Sequence, residues 1–284
     1  MRTDVIVSLT SVPRRFDRAL PQVISALRSQ RCSPEVLVNI PARYRKWGDA
    51  APPTGIERDG VVVYRPSQDY GPATKLLGAL EYCRDRPGIK YIITVDDDFV
   101  PRTRGHIQYL LKCARALPGA AVTIGGILLD REPFRSKDGI KYDQRLRRVH
   151  APAGFRGVVY PADALRNTVA FELMASLPEG IFHDDDAYFG CVLSVLGVPL
   201  VAVPGRPKMY EAAGAGTSAV AEHTSLHRID NEMEIYRAAV RGGILRVPIP
   251  DPALPFRQKM AVLKAYLPFK LEQKLAPRGW TKRS

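Results

Sequence analysis

Tyr91-Ile92-Ile93-Thr94-Val95 runs without interruption into Asp96-Asp97-Asp98. The first five residues are apolar or β-favouring throughout, the pattern of a parallel strand covered on both faces. Pro101 follows shortly and predicts an end to strand pairing. Carboxylates crowded at the end of a buried strand repel one another, which is tolerable when a hard divalent cation sits among them. Open α/β sheets also bind their ligands at the carboxyl ends of their strands. The plainer alternative is an acidic loop that merely ends a strand. The apolar strand and the basic chain around it favour the metal.

Lys and Arg number 42 against 29 Asp and Glu, a net charge of +13. Such a balance calls for an anionic partner: nucleic acid, a phosphorylated substrate or an acidic membrane surface. Length and apolar content fit one large domain, or one with an appendage, at 284 residues and 45% hydrophobic. Cys32, Cys83, Cys113 and Cys191 stand far apart, so they read as core residues of a reducing compartment, not as a disulfide framework or zinc site. The opening MRTDVIVSLTSVPRR reads as a first strand, not a signal peptide. No apolar run reaches the length of a spanning helix. The expected setting is the cytoplasm, with peripheral contact at the inner face of the cell membrane.

Along the chain, strands are predicted at 4–10, 36–40 and 60–64, with helices at 18–30 and 73–83. Residues 42–58 read as a loop. This order is that of a nucleotide-binding α/β half. Beyond it come a helix at 107–117, one apolar strand at 121–129, and a charged irregular stretch at 130–150 with Arg145, Arg147 and Arg148. A strand at 154–161, a helix at 163–176, a second acidic cluster at 183–186 and a helix at 187–196 follow. Then come a short strand at 199–203, a small-residue loop at 211–224 expected to be mobile, and a helix at 228–241.

From Phe256 onward eight Lys or Arg face a single acid, Glu272. Met260, Leu263, Leu267 and Leu271 could share one helical face, with Pro268 as a break, and Trp280 lies among bases. A membrane-interface helix and an ordinary basic helix packed on the domain are both consistent with this pattern. The expected division is therefore a main domain over 1–250, with halves 1–101 and 102–250, and a basic amphipathic tail over 251–284.

Four further stretches hold residue types that chemistry uses. In Asp69-Tyr70-Gly71-Pro72-Ala73-Thr74-Lys75, glycine allows close backbone approach, and a lysine in the first helical turn suits a docked phosphate or is simply solvated. In His183-Asp184-Asp185-Asp186-Ala187-Tyr188-Phe189-Gly190, one or two acids are explained as caps of the following helix. A third leaves room for a general base. Gly154-Phe155-Arg156-Gly157 lets backbone approach a ligand. His223 and His227, four apart, would share a helix face, and either is a metal ligand or a structural histidine.

Taken together these stretches resemble the GT-A glycosyltransferases, of the broad kind that includes bacterial family 2 enzymes. Asp96-Asp97-Asp98 matches the family's DxD. Asp185-Asp186-Ala187-Tyr188-Phe189-Gly190 resembles the EDVYVG-like motif of inverting members, and DYGPATK is similar to nucleotide-sugar-binding loops. The two acidic motifs lie about ninety residues apart, as in that family, and the likeness covers about residues 4 to 230.

The resemblance implies a GT-A, Rossmann-like α/β fold, a mixed, mainly parallel sheet flanked by helices, here with a basic C-terminal helical tail. It implies that Asp98, with Asp96, would hold Mn²⁺ or Mg²⁺ on the diphosphate, and that His227 or His223 would complete the metal shell. Thr10, Asp69, Lys75, Asp96 and Asp97 would contact the nucleotide-sugar. Asp186 would be the catalytic base and Asp185 would orient the acceptor. Gly154, Phe155, Arg156 and Asp184 would line the acceptor side. Asp184 is a third acid where the family has two. The donor expected is a UDP-sugar and the acceptor a glycan or lipid-linked hydroxyl in bacterial surface polysaccharide synthesis.

Two other classes compete. Asp96-x-Asp98 after an apolar strand also matches haloacid-dehalogenase-type phosphatases, with Asp96 as nucleophile, Asp98 as acid/base, and Asp185 and Asp186 on Mg²⁺. That motif normally follows the first strand of its fold, and here at least three strands are predicted before it. A nucleic-acid-binding protein is disfavoured: no zinc-finger, RRM or KH signature is present, the bases do not alternate with an aromatic platform, and two acidic clusters would repel phosphate.

Overall fold

The structure, a computed structural model, describes residues 4–57, 60–129, 140–143, 145–176, 184–205, 207, 209–213, 225–247 and 254–276. The first half of the chain contains β1 (Val5–Thr10), α1 (Ala19–Arg28), β2 (Glu35–Asn39), a small hairpin of β3 (Arg43–Tyr44) and β4 (Gly48–Asp49), β5 (Val61–Tyr64), α2 (Thr74–Cys83), β6 (Tyr91–Thr94) and β7 (Phe99–Pro101). After it come α3 (His106–Ala116), β8 (Ala121–Ile124), β9 (Gly126–Leu129), β10 (Ile140–Asp143), β11 (Arg147–Arg148), β12 (Ala151–Pro152) and β13 (Val158–Pro161). The chain continues through α4 (Val169–Ser176), α5 (Asp185–Val195), β14 (Leu200–Val203), β15 (Met209–Glu211), α6 (Ser225–Arg241) and α7 (Phe256–Leu275).

Eight strands form one mixed, mainly parallel sheet in the order β11-β14-β8-β13-β6-β1-β2-β5. Only β13 and β11 run against the rest. The sheet is continuous across both halves of the chain, because β13, β8 and β14 extend it beyond β6. Strand alternation divides the core in two. Val5, Val7 and Leu9 of β1 face α1, α3 and α7, through Leu20, Val23, Leu110 and Phe269. Ile6 faces the other layer, built by Leu76 and Leu77 of α2, Tyr188 and Phe189 of α5 and Tyr236 of α6. Such burial on both faces is why the β1 and β6 segments read as continuous apolar runs.

The 42–58 segment is not all loop, since β3 and β4 pair within it, and the strand expected at 154–161 begins only at Val158, after a 3₁₀ turn at Gly154–Arg156. Four further expectations are corrected. Pro101 does not end pairing: β7 pairs antiparallel with β15, with Pro101 opposite Met209. A two-stranded ribbon tolerates a missing N–H at its end. The 121–129 run is two strands, because Gly125 (φ 80) turns the chain out of the main sheet into a three-stranded one with β10 and β12. The 130–150 stretch is not irregular where it is described, since β10 and β11 fall within it, Arg147 and Arg148 forming the edge strand. The 211–224 loop lies largely outside the described residues.

The fourth correction is that Pro268 does not break the tail, and α7 runs through it. Proline there leaves the Lys264 carbonyl without its helical donor, but both residues are exposed and water can satisfy it. Among the described residues no helix is long and apolar enough to cross a membrane.

At the start of α3, His106 is buried and its Nε2 donates to the Arg156 carbonyl at 2.9 Å. Its Nδ1 is buried without a hydrogen-bond partner among the described residues. Burial holds the imidazole down at about 4, so it folds neutral. The unfolded chain binds a proton near the ordinary histidine value while the folded chain refuses it. Stability should therefore be full above about pH 6.5 and fall as pH drops toward 4, by about 2 kcal/mol at about pH 5. Urea unfolding at the two ends of that window would measure the slope, and His106→Gln, which keeps a donor but cannot titrate, should flatten it.

Candidate active site

The site lies beyond the carboxyl ends of β6 and β1. Ser8 is in register with Thr94, and the Val95 N–H donates to the Ser8 carbonyl at 3.0 Å. Thr10 and Ser11 thus extend beside Asp96–Asp98. On the other side β13 begins opposite Thr94, preceded by a single 3₁₀ turn at Gly154–Arg156.

The three aspartates have different partners. Asp96, partly exposed, accepts from Lys75 Nζ at 2.5 Å. Asp97 is buried, with Ser11 Oγ donating to one oxygen and Arg15 to the other. Burial pushes the Asp97 carboxyl up, and Arg15 and Ser11 pull it back. Burial works against the Arg15 charge too, but Asp97 and Asp98 outweigh it and raise its pKa. Asp98 pairs through Oδ2 with Arg15 at 3.1 Å, while its Oδ1 is buried without a hydrogen-bond partner among the described residues. Burial and the neighbouring Asp96 and Asp97 push Asp98 up to about 6.

Lys75 links this group to the second acidic cluster. It sits in the first turn of α2, 3% exposed, and its Nζ lies 2.5 Å from Asp96 and 2.7 Å from Asp185. Burial opposes its charge, but Asp185, Asp96 and Asp186 together raise its pKa well above the ordinary value. Its carbonyl also accepts from Ser8 Oγ at 2.6 Å, and Asn39 donates to that same hydroxyl at 2.7 Å. The lysine backbone is thereby fixed to β1 and β2.

The cluster at the start of α5 is likewise divided by role. Asp184, 5% exposed, is the N-cap, accepting from the Ala187 N–H at 3.2 Å. Asp185 faces Lys75. Asp186 accepts from the Gly154 N–H at 3.0 and 3.1 Å. A Cβ on Gly154 would lie 2.4 Å from that carboxylate, so only glycine permits the contact. Burial and the adjacent Asp185 push the Asp186 carboxyl well above its usual range, and Lys75 offsets part of this. The glycine of this motif serves packing: a Cβ on Gly190 would meet the His150 carbonyl at 2.3 Å, where α5 packs against β12 of the three-stranded sheet.

Other residues named from sequence have local partners. Thr10 Oγ1 donates to the Asn39 carbonyl at 2.9 Å. Asp69 is buried in a turn, accepting from the Arg45 and Gly71 N–H groups at 2.9 and 2.8 Å. Asp69, Asp97 and Asp184 are thus engaged by the fold itself. Phe155 packs against Phe99, with ring centroids 5.5 Å apart, and the Arg156 guanidinium lies 4.8 Å over the Phe155 ring. These three, all partly exposed, form an aromatic–cationic wall beside Asp98. His223 lies outside the described residues, as does the side chain of His227, whose backbone is in α6. Sequence reasoning missed Arg15 and Ser11. Their signal was position: they follow the carboxyl end of the first strand.

Among the described residues no three Asp, Glu, His or Cys side chains converge as a metal centre. Asp98 nevertheless fits a hard cation: it supplies an oxygen donor that is buried and unpaired, in a crowd of like charge. A shallow cavity lined by Pro21, Ile24, Ser25, Arg28 and Ile56 on α1 contains none of these acids.

Fold and site together define an α/β protein with an acidic, lysine-bridged cluster at the carboxyl edge of its sheet. No protein-family model matches the chain, and no curated protein matches it in sequence.

Proposed function

We propose that this chain is a metal-dependent glycosyltransferase of the GT-A kind, transferring a sugar from a nucleotide-sugar to a hydroxyl with inversion at the anomeric carbon. The observation that carries this reading is the Lys75 bridge at 2.5 Å to Asp96 and 2.7 Å to Asp185, which joins two acidic motifs distant in sequence into one cluster. One motif borders the strand end where a nucleotide diphosphate docks in open α/β sheets. The other offers a base.

Mn²⁺ or Mg²⁺ held by Asp98, with Asp96 beside it, would neutralise charge on the leaving diphosphate. Arg15 bridges Asp97 and Asp98 and supplies fixed positive charge at the same place. Lys75 holds Asp185 and so sets the start of α5. Asp186, steadied by the Gly154 N–H and raised in pKa, takes the proton of the acceptor hydroxyl. Phe155 and Arg156 provide a surface against which a sugar ring can lie. A UDP-sugar donor and a glycan or lipid-linked acceptor in surface polysaccharide synthesis extend the same proposal.

Thermal unfolding against nucleotides and nucleotide-sugars, with and without Mn²⁺, tests it. A ligand that binds only the folded chain raises the melting temperature by mass action. The expected result is a rise that needs UDP or a UDP-sugar together with metal and that Asp98→Asn abolishes. A rise only with Mg²⁺ and a phosphate analogue would instead favour phosphoryl chemistry at Asp96.

A further inference from the structure

Helix α7 is apolar on two opposite faces. Its inner face is consumed by the domain: Val262, Ala265 and Phe269 are buried, and Phe269 stacks on Tyr109 of α3 with centroids 4.3 Å apart and planes 8° from parallel. Gln273 donates to Thr103 Oγ1 at 2.6 Å, and Glu272 accepts from the Gly105 N–H and from Arg31, each at 3.1 Å. The helix is therefore fixed to the fold, close to the segment that follows the acidic strand end.

The outer face is different. Phe256, Met260, Leu263, Leu267, Leu271 and Leu275 recur at steps of three and four, so they share one stripe along the helix. They are 76, 37, 42, 64, 58 and 76% exposed. Among the described residues these six are all but one of the large apolar side chains left exposed, the other being Val195. A patch so concentrated marks an interaction surface.

The flanking charge says what it meets. Arg257 and Lys264 border the stripe on one side and Lys259 and Lys270 on the other, with Lys274 along it, all exposed. The single acid of the helix, Glu272, is turned to Gly105 and Arg31. Among the described residues of α7 the outer face thus presents apolar side chains and cations, with no acid on it. A second copy of this chain would bring the same cations against it, whereas anionic headgroups complement them while acyl chains take the stripe. Lysine stems can lie along the apolar boundary with their ammonium groups among the headgroups.

We infer that the outer face of α7 docks the protein on an anionic lipid bilayer, the helix lying in the plane of the interface. The stripe enters the headgroup boundary by about 5–10 Å. Because the inner face is tied to Thr103 and Gly105, docking holds the whole domain in one orientation on the surface. This inference stands on α7 alone and needs no donor or acceptor chemistry.

Co-sedimentation of the full chain with vesicles tests it, without any nucleotide present. The protein should bind vesicles containing phosphatidylglycerol, should not bind vesicles of phosphatidylcholine alone, and should be released as salt rises. The variant L263E/L267E/L271E, at exposed positions, should keep its melting temperature and lose binding by at least about tenfold. K259Q/K264Q/K270Q, which keeps the stripe, should also weaken binding to the anionic vesicles. Absence of binding, equal binding to both vesicles, or binding unaffected by either variant overturns the inference. So does a dimer in sedimentation velocity that L263E/L267E/L271E dissociates, which would assign the face to a second copy.

Discussion

Lys75→Met should lower the unfolding free energy by about 3–5 kcal/mol, the cost of removing one partner from a buried ion group. Lys75 is the cation between Asp96 and Asp185, and its side chain is 4% exposed against 27% and 14% for theirs. Methionine fills similar volume, so packing is nearly conserved and the loss is electrostatic. Asp185 and Asp96 would then face each other across an apolar side chain, with Asp186 beside them. Two outcomes are open to such a group, protonation or displacement into water, and both cost stability. Adding Asp185→Asn to Lys75→Met should recover part of the loss, because the two residues act as one unit and their effects do not add. Urea unfolding of the wild type, both single variants and the double variant measures this. A Lys75→Met protein within about 1 kcal/mol of wild type would mean that the bridge contributes little to stability.

Asp186→Asn should leave donor binding intact and reduce transfer by about 10²–10⁴, the range expected for loss of a general base. The amide oxygen can still accept from the Gly154 N–H, so the loop stays in place, but an amide cannot take a proton from a hydroxyl. The loss should therefore appear in kcat and not in donor affinity, which the metal-dependent melting shift reports independently. Asp185, which Lys75 holds, and Asp184, which caps α5, are next in line as the base. Full turnover by Asp186→Asn would place the base elsewhere. A product that retains the donor's anomeric configuration would remove the base role altogether.

Docking through α7 and transfer at the acidic cluster are separable. A protein that binds vesicles but no nucleotide would keep the former and lose the latter, and the reverse result is equally possible. If both hold, the lipid surface and the site are linked through the Thr103–Gly105 segment, which the inner face of α7 contacts and which follows the acidic run.

Local pattern alone was enough to place most of the fold. β1, β2 and β6 were legible because strands buried on both faces must be apolar at nearly every position, and β5, at the sheet edge and only partly buried, because Val61–Tyr64 are all β-favouring. α1 and α3 were legible because a helix on one sheet face needs an apolar stripe at helical spacing. The acidic run at 96–98 marked the site for an equally local reason: three like charges after a buried strand demand a partner. Tertiary structure alone decided which partner each charge has. Nothing near Asp97 in sequence announces Arg15, and nothing near Asp185 announces Lys75, because those pairs form only when β1, α2, β6 and α5 converge at one end of the sheet. The splitting of 121–129 at Gly125 depended on a second sheet that offered new hydrogen-bond partners. The tail was undecided for the same reason. Its residues prescribe two apolar faces, and which one is consumed depends on the presence of α3 to receive Val262 and Phe269. Periodicity acts over a few residues and is written in the chain, whereas charge pairing and face selection act across space and exist only once the chain has folded.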